Sequence, residues 1–175
     1  MSMNRDFLLE LLTSNSVSGS EEEIEKKVYD HMKPIADQVM VDELGNVTAV
    51  VNPDAKYKVL MTGHADEIGM MVTAVDGDGF LKVTNLGGIY EHTYLGHKVR
   101  VHTKNGILYG AVVHTKELAE NKELKVSDLT IDIGAASKEE ALNAVELGDT
   151  VNFDTDVRFL LNDRITARAM DDRVG

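Results

Sequence analysis

Between Ile68 and Leu161 the chain breaks into short strand-like segments separated by turn residues, and this texture constrains the fold more than any other feature. "MMVTAVDGDGFLKVTN" reads as a hairpin about Asp76-Gly77-Asp78-Gly79, and "HKVRVHTKNGILYGAVV" as a second with Asn105-Gly106 at its turn. "LTIDIGA", "GDTVNFD" and "VRFLL" add strands, and Ser137 with Glu140 three residues later predicts a capped helix running to Val145. Lys116 to Asp128 is polar and predicts a mobile loop. Short strands at this spacing close into a small barrel or stack as a sandwich.

The preceding residues have a different period. Phe7, Leu8, Leu11 and Leu12 are spaced for a helix that "NSVSGS" ends. Ser20 with Glu23 has the form of a capping box, and Ile24, Val28, Met32 and Ile35 then share one helical face. "VMVDELGNVTAVVNPDAKYKVLMTG" reads as strand, Gly-Asn turn, strand, Asn-Pro-Asp turn, strand. Its last member, Val59 to Thr62, is almost wholly apolar, as expected of a strand covered on both faces. The final stretch, "RITARAMDDRVG", resembles neither the barrel segment nor a solvated tail.

Composition excludes several classes. With a net charge of −12 there is no cationic surface to displace counterions from nucleic acid, nor to attract an anionic membrane. There is no cysteine, which removes disulfides and thiolate metal sites. No Gly-x-Ser-x-Gly elbow and no phosphate-binding glycine loop occurs. The N-terminal residues mix Asn4, Arg5, Asp6 and Glu10 into their apolar positions, unlike a signal peptide, and no stretch is long enough to span a bilayer. A cytoplasmic protein is expected.

Two stations can carry chemistry. "GHADE" follows the apolar run 59–62, placing His64 where a neutral imidazole can ligate zinc, cobalt or manganese. Asp66, two residues on, lies on the same side of an extended chain and can orient the imidazole. The alternative is a histidine at a strand end with Asp66 and Glu67 facing water. At the second station, Asp171-Asp172, a carboxylate can bridge two metal ions. The alternative there is a charged turn in which Arg173 pairs with one of the acids. His31, His92, His97, His102 and His114 show no ligand spacing and read as solvated or packed.

Taken in order, "SVSGSEEEI", "DELGNV", "GHADEIGMMV", "TNLGGI", "IDIGAASKEEA", "LGDTVNFD" and "ARAMDDRVG" make the chain resemble the dinuclear metallo-aminopeptidases. That family includes glutamyl, deblocking and tetrahedral aminopeptidases, and some relatives are labelled endoglucanase. The resemblance implies that His64 ligates one ion, that Asp66 is the catalytic acid orienting the metal-binding group, and that Asp171 bridges two divalent ions, zinc or cobalt. It implies an α/β fold with an inserted β-barrel: a zinc-exopeptidase-like α/β/α domain, here truncated, interrupted by a small β-rich dimerisation domain. On this chain the parts fall at 1–66, 67–163 and 164–175. Peptide substrates and a homo-oligomer, dimer or larger, follow from the same resemblance, with neither nucleic acid nor membrane as partner. Family members are about twice this length, and their remaining half carries the general-base glutamate. The chain is thus expected to be the N-terminal half of such an enzyme. The rival expectation is a non-catalytic assembly module whose barrel mediates self-association. An endoglucanase ranks behind both, because aromatic platforms for sugar are sparse.

Overall fold

A computed structural model of the chain describes residues 5–175. They divide into two compact units, one made of residues up to Glu67 together with Asp156–Gly175, the other of Ile68–Thr155.

The first unit opens with helix α1 (Arg5–Thr13), which buries Leu8 and Leu12, and helix α2 (Glu22–Met32), which buries Ile24. The rings of Phe7 and His31 stack with centroids 3.6 Å apart. Helix α2 does not start with the expected capping box: Glu21 is its N-cap and makes no side-chain capping bond. Glu23 is engaged elsewhere, accepting from the Asn15 amide at 3.2 Å and from Lys27 Nζ at 2.6 Å. Strands β1 (Gln38–Val41) and β2 (Val47–Val50) then pair antiparallel around "DELGN", where Asp42 accepts from the Leu44 and Asn46 amides.

The apolar run after this hairpin departs from expectation. Residues 59–62 form no strand, and Val59, Leu60 and Met61 are 84–88% exposed. A strand without alternation is stable only between neighbouring strands and under cover on both faces. The described residues of this unit supply neither: their ladders are two separate two-stranded pairs.

The second unit is a closed six-stranded barrel made of β3 (Gly69–Val75), β4 (Leu81–Leu86), β5 (Lys98–Thr103), β6 (Gly106–Val112), β7 (Thr130–Asp132) and β8 (Thr150–Phe153). Around the barrel the order is β3-β4-β7-β6-β5-β8, with β8 pairing back to β3. Closure leaves no sheet edge to aggregate. The two predicted hairpins are β3–β4 and β5–β6. In the first turn Asp76 Oδ1 accepts from the amides of Asp78 and Phe80. In the second, Gly106 has φ of +109°, a conformation that glycine adopts without a side-chain clash.

The barrel interior follows the two-residue period of each strand. Met70 and Val72 face in, a bulge at Thr73 shifts the register, and Val75 rather than Ala74 is the next to be buried. Leu81, Val83, Val99, Val101, Val112, Ile131 and Val151 complete the layer, each at most 3% exposed. Ser137 caps helix α4 (Lys138–Ala144) as predicted, accepting from the Glu140 amide, and Ala141 and Val145 join the core. The stretch 116–128, expected to be a loop, instead contains helix α3 (Lys116–Glu120), capped by Thr115, and a 3-10 turn at Val126–Asp128. Leu124 and Val126 anchor it in the barrel core, which its polar composition conceals.

From Asp156 the chain is again part of the first unit. It forms a short hairpin, β9 (Arg158–Phe159) with β10 (Ile165–Thr166), and then the single turn α5 (Met170–Arg173). Ala169, in left-handed conformation, precedes that turn, and the Asp171–Asp172 peptide is cis. No helix among the described residues is long and apolar enough to cross a membrane.

Candidate metal centre

Two segments of the first unit, 63–67 and 168–173, meet at His64. Its Nδ1 lies 2.9 Å from Asp66 Oδ1 and its Nε2 lies 3.1 Å from Asp171 Oδ1. Asp66 is itself oriented by Ser18, whose hydroxyl donates to Oδ2. The side chains of His64 and Asp171 are 53% and 96% exposed, so the pair is open to solvent. Asp172 turns toward the other segment, where a Cβ on Gly63 would stand 3.3 Å from its Oδ2; glycine permits that approach.

The electrostatics follow from this geometry. The hydrogen bond to Asp171 raises His64 above the ordinary imidazole pKa; slight burial opposes the rise and Asp66 adds to it. When Nδ1 carries the proton shared with Asp66, the Nε2 lone pair faces the Asp171 carboxylate. An imidazole nitrogen and a carboxylate oxygen form the mixed donor set that zinc, cobalt and manganese accept. Two donors about 2.1 Å from one tetrahedral ion stand roughly 3.4 Å apart. The 3.1 Å separation is a few tenths of an ångström from that value. His64 and Asp171 therefore fit as a pair of metal donors, with Asp66 and Ser18 as the groups that fix the ring. Among the described residues no cluster of three or more histidine, cysteine or acidic side chains is gathered for a metal.

Behind this exposed pair lies a group that sequence reading missed. Glu67 is not a solvated acid; it is buried and shared by two guanidinium groups. Arg168 Nη1 donates to Glu67 Oε1, and Arg173 Nη2 reaches the same oxygen at 3.2 Å. Arg173 therefore pairs with Glu67 and not with an adjacent aspartate, correcting the charged-turn alternative. It also donates to the carbonyls of Leu11 (2.6 Å), Ser14 (3.1 Å) and Ala65 (3.4 Å), and to Ser16 Oγ. Burial pulls its guanidinium below the ordinary arginine value, and Glu67 opposes that shift. Arg168 caps the end of α1 through the carbonyls of Thr13 and Ser14. The backbones of Val17 and Glu67 form a parallel bridge, so the segment carrying His64 is held by main chain as well.

Four of the remaining histidines serve packing and local hydrogen bonds. His31 stacks on Phe7, His92 Nε2 lies 2.9 Å from the Asn121 carbonyl, His97 meets the edge of Phe153, and His102 Nε2 lies 3.1 Å from Asn152 Oδ1.

Comparison with known proteins places the chain. Residues 45–175 match the model of the M42 glutamyl aminopeptidase family. A protein of Acetivibrio thermocellus is 41% identical over 159 residues, covering 91% of this chain and 47% of its own. Lysyl aminopeptidase of Pyrococcus furiosus is 33% identical over 177 residues, covering 97% of this chain and 51% of its own. Among solved structures, the Pyrococcus horikoshii TET1 peptidase, described as assembling into a tetrahedron or a large octahedral shell, superposes with a TM-score of 0.84 at 33% identity, covering 96% of this chain and 52% of that one. The chain thus spans about half the length of the curated relatives it matches. With a family match across strand β2, the barrel, "GHADE" and "MDDR", the chain belongs to the M42 glutamyl aminopeptidase family.

Proposed function

We propose that this chain supplies the N-terminal half of a metal-dependent aminopeptidase that removes N-terminal residues from peptides. The observation that carries this reading is the approach of His64 Nε2 to Asp171 Oδ1 at 3.1 Å, with Asp66 on the opposite ring nitrogen. In that role His64 ligates one ion, Asp171 bridges two, and Asp66 fixes the imidazole tautomer. Divalent ions held there, zinc or cobalt as the family resemblance implies, would polarise the scissile carbonyl and acidify a water. The rest of the work assigned to this chain is positional: Ser18 holds Asp66, Asp66 holds His64, and Gly63 leaves room for Asp172. The general base and the remaining ligands belong to the other half of the enzyme.

In the same proposal the first unit is the beginning and the return of a zinc-exopeptidase-like α/β/α domain, and the barrel is its inserted dimerisation domain. A cytoplasmic homo-oligomer acting on small peptides follows. A second reading rests on a separate observation: the extended apolar core lies wholly within the barrel unit. On that reading the chain is an assembly module that self-associates through the barrel and catalyses nothing alone.

Release of N-terminal amino acids from short peptides, measured with zinc or cobalt on the protein joined by its C-terminal half, tests the first reading. Metal-dependent turnover that falls at least about a hundredfold in His64→Ala and Asp171→Ala supports it. Turnover in both variants equal to that of the parent overturns it. Oligomer mass without any turnover favours the assembly module.

A further inference from the structure

The catalytic proposal does not use Glu67, Arg168 or Arg173, yet these are the most deeply buried charged side chains around the site, at 4%, 6% and 0% exposure. Isolated buried charges are expensive, and in some proteins a buried ionic cluster fixes one arrangement among several. The location of this one suggests which arrangement. Glu67 lies three residues beyond His64, and Arg168 and Arg173 bracket Asp171 from three residues before and two after. The segment carrying Asp171 is consequently tied at both ends to the carboxylate that terminates the segment carrying His64.

Arg173 adds a second tie, from its Nε to the Ala65 carbonyl, the residue next to His64. Its Nη1 and Nη2 reach Leu11, Ser14 and Ser16, so the same guanidinium holds the loop that delivers Ser18 to Asp66. Three pieces of chain distant in sequence thus converge on one fork-shaped cation. Without such ties, two solvent-exposed side chains on separate, irregular segments have no reason to stay a hydrogen bond apart. Among the described residues neither segment is held in an extended sheet, and the one ladder contact is the bridge between Val17 and Glu67.

We propose that the Glu67–Arg168–Arg173 cluster is a positioning device that sets the separation of His64 from Asp171, with Glu67 and Arg173 as its principal positioning residues. Arg168 is the lesser member, because its buried Nε has no partner among the described residues. The proposal rests on the reading of His64 and Asp171 as metal donors for its purpose, but not for its test.

The test is a double-substitution cycle read by 15N imidazole NMR on the metal-free 175-residue chain, at one pH throughout. In the parent protein Asp171→Asn must perturb the His64 Nε2 resonance, because the two groups touch. In Glu67→Gln, which keeps an acceptor but removes the charge, that perturbation is expected to vanish. The stacked Phe7–His31 ring signals report whether the first unit remains folded. Where Glu67→Gln loses those signals, Glu67→Asp and Arg173→Lys are read in its place, since each keeps charge while shortening the carboxylate or removing the fork. An unaltered response of His64 to Asp171→Asn in a folded variant overturns the proposal. Cobalt binding by the parent chain is measured separately. Its absence would count against the metal reading, while the NMR cycle would still decide whether the cluster positions the pair.

Discussion

Deleting the carboxylate at Glu67 probes how the first unit is held together. In Glu67→Ala, Arg168 and Arg173 lose the anion they share, while both remain almost fully buried, at 6% and 0% exposure. Removing one partner of a buried ion pair costs about 3–5 kcal/mol, since the other charge is left uncompensated. Arg173 keeps three carbonyls and a hydroxyl, which places its share toward the low end. Arg168 keeps only the carbonyls of Thr13 and Ser14, so its share is not reduced as far. Fully burying one leucine or isoleucine is worth about 1.5–3 kcal/mol. The loss therefore equals the burial of about one to three among Leu8, Leu12, Val17 and Ile24, the buried apolar residues described in this unit. Native-state hydrogen exchange is the assay. Amide protection in α1 and α2 is expected to fall by about 3–5 kcal/mol, or roughly a hundred- to several-thousandfold in exchange rate. The surface pair Lys26–Asp30, 75% and 56% exposed, is the control: Lys26→Ala should cost under about 0.5 kcal/mol. Equal small losses in the two variants would refute the reasoning that the triad is an energetic anchor.

Other outcomes follow from the barrel and from His64. Ile131→Ala removes a fully buried side chain between Leu81 and Val112, and is expected to cost about 2–5 kcal/mol in a denaturant titration of the barrel. Gly110→Ala puts a Cβ 2.9 Å from both the Asp132 carbonyl and Ile131 Cγ2, so it should destabilise by about 1–3 kcal/mol, seen as a lower thermal midpoint. His64, raised by its hydrogen bond to Asp171, should titrate above the ordinary imidazole value in an NMR pH series on the metal-free chain, and Asp171→Asn should bring it down. Because the folded value lies above the unfolded one, the stabilisation is fully present at pH below the unfolded value and is lost as pH rises through the folded one. Proton and metal compete for the same Nε2, so metal affinity should rise over that interval.

What could be read in advance divides along a physical line. The β3–β4 and β5–β6 hairpins were legible because their determinants are local: Asp76 folds back on its own turn, and Gly106 takes a conformation few other residues tolerate. The same holds for the Ser137 cap of α4. Local signals failed where a competing partner was nearby, as when Glu23 took the Asn15 amide and Lys27 instead of capping α2. They failed again where stability depends on neighbours: Val59–Met61 have the composition of a buried strand and lie in solvent. The buried role of Glu67 was illegible for a third reason. Its guanidinium partners are 101 and 106 residues away, and no spacing rule connects acids and arginines over that distance. His64, Asp66 and Asp171 stood out as a set only through the whole series of motifs, since a lone His-x-Asp or Asp-Asp is commonplace. In the fold, Asp171 comes to His64 from 107 residues away.

Metal binding by the purified chain bears most directly on the pairing of His64 with Asp171. Zinc and cobalt would be titrated by calorimetry into the parent protein, His64→Ala and Asp171→Ala, with bound metal counted after dialysis. A two-donor site predicts measurable but readily dialysed binding in the parent, abolished in both variants. Binding of the same strength in all three proteins, or none in the parent, would contradict it.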